Sequence, residues 1–173
     1  NIISIMQSVN VECCIISAFS MLITEYLKHN SDVNILTIIW PVLRRTIEIM
    51  SAHPSVSNFE GVDASSFLET IDSPSGELNG IFEIKNIEEW IKHKCTYPCV
   101  SLSFSKHILG HFIAYVPFNK THGYLLDPSI GSIHRVDIEK LIEYSSNHES
   151  CKATKDIICL KYGFNNKLDE YIS

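Results

Sequence analysis

From Cys13 onward the chain places Ile16, Phe19, Ile23 and Tyr26 at steps of three and four, the period of one face of an α-helix. Lys28, His29 and Asn30 mark its exit. A second apolar stretch, residues 33–50, is interrupted by Pro41, which predicts a helix start or a break there. Over residues 51–80 the composition turns to Ser, Pro, Gly, Asp and Asn, predicting loop with one short helix around 65–71. Residues 87–94 read as a further short helix. The period then changes. Val100, Leu102 and Phe104 alternate with Ser101, Ser103 and Ser105, as in a half-buried strand. Residues 111–116 and 123–126 read as two more strands joined by a hairpin loop, and 127–131 as a turn. A short strand at 133–136, Asp137 as N-cap of a helix through Tyr144, and a last strand at 157–162 complete the pattern. Helices first and antiparallel strands second predict an α+β fold in one domain over 1–173. Its helical part, about 1–94, packs on a sheet part, about 95–165.

Composition narrows the class. The 173 residues are 45% hydrophobic and 20% charged, enough apolar surface for an ordinary core. No apolar run reaches 18 residues, so no membrane span is expected, and the first residues lack the basic start of a signal peptide. The chain begins at Asn1 rather than Met, as expected of a processed form or an excised domain. A net charge of -6 without a Lys/Arg cluster predicts no nucleic-acid partner. Six cysteines, at 13, 14, 95, 99, 151 and 159, lie partly in apolar strand-like runs. They read as reduced, packed residues in the cytoplasm or another reducing compartment, with secretion as an effector left open.

Four residues fit one chemistry. A thiol hydrolase needs a nucleophile, a base, a group orienting that base and an oxyanion donor. Cys13 opens the first helix, where the partial positive charge of the helix end is expected to lower a thiol pKa. Gln7, six residues upstream, can fold its amide back toward a bound carbonyl. His111 enters a strand and is the candidate base. Asp127 ends the next strand, and an antiparallel hairpin brings the start of one beside the end of the other. Singly, each has an ordinary alternative: a packed helix Cys, a surface Gln, a packed His, a turn-initiating Asp.

These residues carry a resemblance. Gln7-Ser8-Val9-Asn10-Val11-Glu12-Cys13, the helix end Ser20-Met21-Leu22-Ile23-Thr24-Glu25-Tyr26, the strand Gly110-His111-Phe112-Ile113 and the turn Asp127-Pro128-Ser129-Ile130-Gly131 together resemble the bacteriocin-leader-processing (double-glycine) peptidases. Those are papain-like cysteine peptidases, often fused to peptide-exporting ABC transporters. The resemblance covers the first thirty residues and roughly 95–145. It implies a papain-like fold, a peptide or protein substrate, no cofactor and a parent protein that carries a transporter domain. It maps Cys13 to the nucleophile, His111 to the base, Asp127 to the orienting residue and Gln7 to the oxyanion hole.

Two departures stand out. Cys14 replaces the family's Gly and adds a second thiol, although it points about 100° away around a helix. The interval from Cys13 to His111 is long, and residues 51–80 are expected to form a loop or lid over the cleft. His107 is the rival base, and His122 in the hairpin is expected to be exposed. Cys95 and Cys99 with His93 and His107 lack the paired spacing of a zinc site, so no metal is expected. The same four residues also serve a glutamine deamidase, an acyl transferase or a peptidase of ubiquitin-like proteins. A degenerate domain that binds peptide without catalysis is the non-enzymatic alternative.

Overall fold

Fifteen consecutive residues, Cys13–Leu27, form helix α1 of the computed structural model, and every one of them is buried. The model describes residues 2–7, 12–30, 34–52, 63–72, 78–102, 111–147 and 156–172. The sequence pattern predicted one apolar face, but α1 runs through the middle of the molecule. Its polar residues are therefore used internally. Ser17 Oγ donates to the Phe112 carbonyl at 3.1 Å, and Ser20 Oγ accepts the Ile5 N–H at 3.0 Å. Thr24 Oγ1 accepts from Ile3 N–H at 3.0 Å and donates to its carbonyl at 3.1 Å. Ser20 and Thr24 thus stitch the N-terminal segment along the helix, while Ser17 ties the helix to the stretch before β3, so all three buried hydroxyls are paired.

Helix α2, Ile35–Ser51, continues straight through Pro41. This corrects the expected break. Pro41 denies the Thr37 carbonyl its usual donor at a cost of about 3 kcal/mol. Burial of Ile35, Ile39, Val42, Leu43 and Met50 along one stripe outweighs that cost. Helix α3, Ala64–Ile71, is capped by Asp63, whose side chain accepts the Ser66 N–H at 2.7 Å. Its Phe67 meets Phe82 edge to face at 5.2 Å in the core. Of the stretch 51–80 expected as loop or lid, residues 51–52 end α2, 63–72 hold the packed helix α3 with its caps, 78–80 form a turn, and 53–62 and 73–77 lie outside the described residues.

Strand β1, Phe82–Asn86, falls inside the stretch expected to be helical. It was hidden because only its first residue is fully buried and its pattern gives no alternation. Helix α4, Ile87–Lys92, follows at once and ends two residues early, where Lys94 and Cys95 both turn left-handed at φ 55. Then come β2 (Cys99–Ser101), β3 (Ile113–Pro117), β4 (His122–Asp127), β5 (Ser132–Asp137), α5 (Ile138–Asn147), β6 (Asp156–Leu160) and α6 (Phe164–Ile172). The continuation of β2 toward Phe104 lies outside the described residues, as do His107 and Cys151. Helix α6 was not anticipated.

Six helices and one six-stranded antiparallel sheet, in the order β1-β6-β2-β3-β4-β5, make the described fold α+β. The strands alternate between two cores. Val100, Ala114, Val116, Leu126 and Ile158 face α1, with Phe19, Phe67 and Leu168 in the same cluster. Cys99, Ile113, Tyr115, Ile157 and Cys159 face the other way, toward Trp90 of α4 and Leu141 of α5. Helices thus cover both faces of the sheet, rather than only the N-terminal helices one of them. Covering both faces is why all three residues of β2 are buried instead of every second one. Among the described residues no helix is long and apolar enough to cross a membrane.

Candidate active site

The β3–β4 hairpin pairs Ala114 with Leu126 and Pro117 with Gly123. That register sets the two residues before β3, His111 and Phe112, beside the end of β4. His111 Nε2 and Asp127 Oδ1 lie 2.6 Å apart, both side chains largely buried. An ionised carboxylate only accepts, so Nε2 carries the proton between them. Asp127 Oδ1 also accepts the N–H of Ser129 at 2.9 Å and its hydroxyl at 2.8 Å. Burial pushes this carboxyl up, but the bonds from His111 and Ser129 outweigh it and hold the group below its ordinary range. The histidine's partner is therefore a carboxylate at neutral pH. The turn that carries it closes through Gly131 at φ 65, a left-handed position suited to glycine.

Cys13 is the first residue of α1 and is 6% exposed. Its Sγ accepts the N–H of Phe112, the residue after His111, at 3.4 Å. The thiol does not behave as the helix end alone predicts. Burial pushes it up, and the N–H groups of Phe112, Cys14 and Cys13 offset this only in part. A partial charge at a helix end is worth at most a kcal/mol or so, less than the loss of hydration around a buried thiolate. Cys14 faces the core, fully buried, with its thiol pushed further up, first by burial and then by the nearby Asp63 carboxylate. Of the two neighbours, Cys13 is the one turned toward the histidine strand.

Gln7 ends the N-terminal segment, and its backbone N–H donates to the Pro128 carbonyl at 2.7 Å. Ser4 Oγ donates to the Ser132 carbonyl at 3.1 Å, so this segment bridges from α1 to the turn after Asp127. The Gln7 side-chain oxygen is buried without a hydrogen-bond partner. Leaving a buried amide edge unpaired costs about 1–3 kcal/mol. The four candidates therefore meet through shared neighbours: His111 bonds Asp127 directly, Cys13 bonds the residue beside His111, and Gln7 bonds the residue beside Asp127.

Sequence reasoning did not single out Ser129, Phe112 or Ser17, which hold the site together. Ser129 was visible only as part of a turn, and Ser17 as one of three hydroxyls in an apolar helix. The contribution of Phe112 is its backbone, which no side-chain pattern reveals. His122 is a correction. It is 8% exposed rather than solvated, packed against a tilted Phe118 ring at 5.0 Å and edge to face with Tyr124 at 5.7 Å. Cys95, Cys99 and Cys159 are buried and reduced among the described residues. No group of three or more metal-ligating side chains forms among those residues. Compared with known proteins, the chain matches no family model and no curated sequence.

Proposed function

We propose that the chain is a papain-type thiol hydrolase that cleaves a peptide bond through an acyl-enzyme on Cys13. The observation that carries this reading is the 2.6 Å bond between His111 Nε2 and Asp127 Oδ1, built next to a cysteine at a helix start. With Nε2 turned to Asp127, Nδ1 is the nitrogen that exchanges protons with the thiol. Burial keeps Cys13 protonated at rest, so its proton passes to His111 as Sγ attacks the carbonyl carbon. The oxyanion is held by the Gln7 amide and a backbone N–H at the start of α1. His111 then gives the proton to the leaving amine. Water next attacks the thioester, losing a proton to His111, which returns it to the cysteine. Asp127, kept ionised, holds the ring and stabilises the imidazolium throughout. The motif resemblance makes a leader-type peptide the favoured substrate class.

Cys13→Ala abolishes peptide cleavage and stoichiometric labelling by a thiol-directed acylating probe. Labelling of that variant to one equivalent at an unchanged rate would reject Cys13 as the nucleophile. Gln7→Ala lowers kcat by about 10²–10³ with a small change in KM, the signature of an oxyanion donor. A second reading, a peptide-binding domain without catalysis, draws on the burial of Cys13 and its raised thiol. It expects slow labelling of Cys13, no faster than that of the core thiols, and no cleavage at any peptide concentration.

A further inference from the structure

A groove of about 300 Å³ lies between the N-terminal segment, the start of α1 and α2. Its walls are apolar, formed by Ile5, Met6, Ile16, Trp40, Leu43 and Ile47. Two of these segments run directly into the centre: Met6 precedes Gln7, and Ile16 lies three residues beyond Cys13 on α1. The far wall is α2, which presents Trp40, Leu43 and Ile47 at helical spacing. Trp40 is 51% exposed and Met6 63%, an exposure that large apolar side chains seldom have without a binding role when they gather at one groove. The volume sits at the small end of ligand sites and suits one or two bulky side chains.

Charge at the rim narrows the occupant further. Among the described residues that line it, Glu12 and Glu48 are acidic and Arg44 is basic, in a molecule of net charge -6. That balance disfavours an acidic residue at the groove and tolerates a basic one. Three helical residues rise about 4.5 Å, comparable to one or two residues of an extended peptide. One wall of the groove is therefore the helical turn that begins at Cys13.

We propose that this groove receives a bulky apolar side chain of the peptide substrate, close to the scissile bond, and that Trp40 is its specificity-determining residue. The proposal rests on the peptidase reading for its link to catalysis, but binding tests it independently. The probes are fluorescein-labelled octapeptides of Gly and Ser carrying Leu, Phe, Ser or Asp at successive positions. They are titrated by anisotropy against Cys13→Ala protein with and without Trp40→Ala. The expected result is at least ten-fold tighter binding of Leu or Phe than of Asp at one position, falling to within two-fold in Trp40→Ala. A matching urea midpoint establishes that the exposed substitution left the fold intact. A preference that survives Trp40→Ala, or no apolar preference at any position, overturns the proposal. Hydrolysis of the tightest peptide by the unsubstituted protein is then scored separately. Binding that depends on Trp40 without cleavage rejects the peptidase reading alone, whereas cleavage indifferent to Trp40→Ala rejects the groove alone.

Discussion

The Asp127 carboxylate accepts three hydrogen bonds at one oxygen, from His111 Nε2 and from the N–H and hydroxyl of Ser129. Such an arrangement fixes both the carboxylate and the ring it faces, and it has two separable consequences. Asp127→Asn presents an amide that no longer stabilises an imidazolium, and kcat falls by about 10³–10⁴, as in serine-dependent triads. The second consequence concerns stability. The folded pKa of Asp127 lies below the ordinary 3.8, so its contribution is fully present above that pH. It is lost as pH falls through the lower folded value. Urea midpoints measured from pH 5 to pH 2 should drop more steeply for the parent protein than for Asp127→Asn. Parallel acid limbs would mean that the carboxylate gains nothing from its partners on folding.

The β3–β4 hairpin depends on one close approach. A Cβ on Gly123 would sit 2.5 Å from the Tyr115 hydroxyl and 2.6 Å from the Val116 carbonyl oxygen. Tyr115 is fully buried and packs edge to face on Trp90 at 5.6 Å, so it has no room to withdraw. Gly123→Ala accordingly destabilises the protein by about 1–3 kcal/mol, read as a lowered urea midpoint at unchanged slope. The hairpin carries His111 and Asp127 at its open end, so activity falls with it even though neither residue is touched. Elements also explain where pattern reading worked. The three- and four-residue steps from Cys13 and the residues around 123–126 and 133–136 were legible because local period and turn chemistry agreed with the final packing. Strand β1 and the passage of α2 through Pro41 were not legible, since both run against local preference and exist because neighbouring elements bury them.

Across the molecule, the sheet separates two cores, and the one away from α1 holds three reduced thiols. Cys99 and Cys159 face each other across β2 and β6, with Cys95 nearby. Burial pushes Cys95 and Cys159 from 9.0 up to about 12, and Cys99 well above its ordinary value. A folded pKa above the unfolded one contributes stability that is intact below pH 9.0 and declines as pH rises toward 12. Each such group contributes a slope of up to about 1.4 kcal/mol per pH unit in that window. Urea midpoints between pH 8 and pH 11 should fall, and a Cys95→Ala/Cys159→Ala protein should show a shallower fall from a lower start. An equal slope in both proteins would place the alkaline loss elsewhere.

The amino-acid sequence by itself determined which residue types stand at which spacing: an amide six residues before a cysteine, a helix period after it, and a His and an Asp sixteen apart around a hairpin. Those are local properties, set by backbone period and turn chemistry. Only the tertiary structure decided how the four candidates relate. It turned Cys13 to the histidine strand and Cys14 into the core, ionised Asp127 through Ser129 as well as His111, and raised the Cys13 thiol that its helix end was expected to lower. The reason is physical. Burial and hydrogen bonding depend on residues distant in sequence, and desolvation of a charge in a core exceeds what any neighbouring helix end supplies.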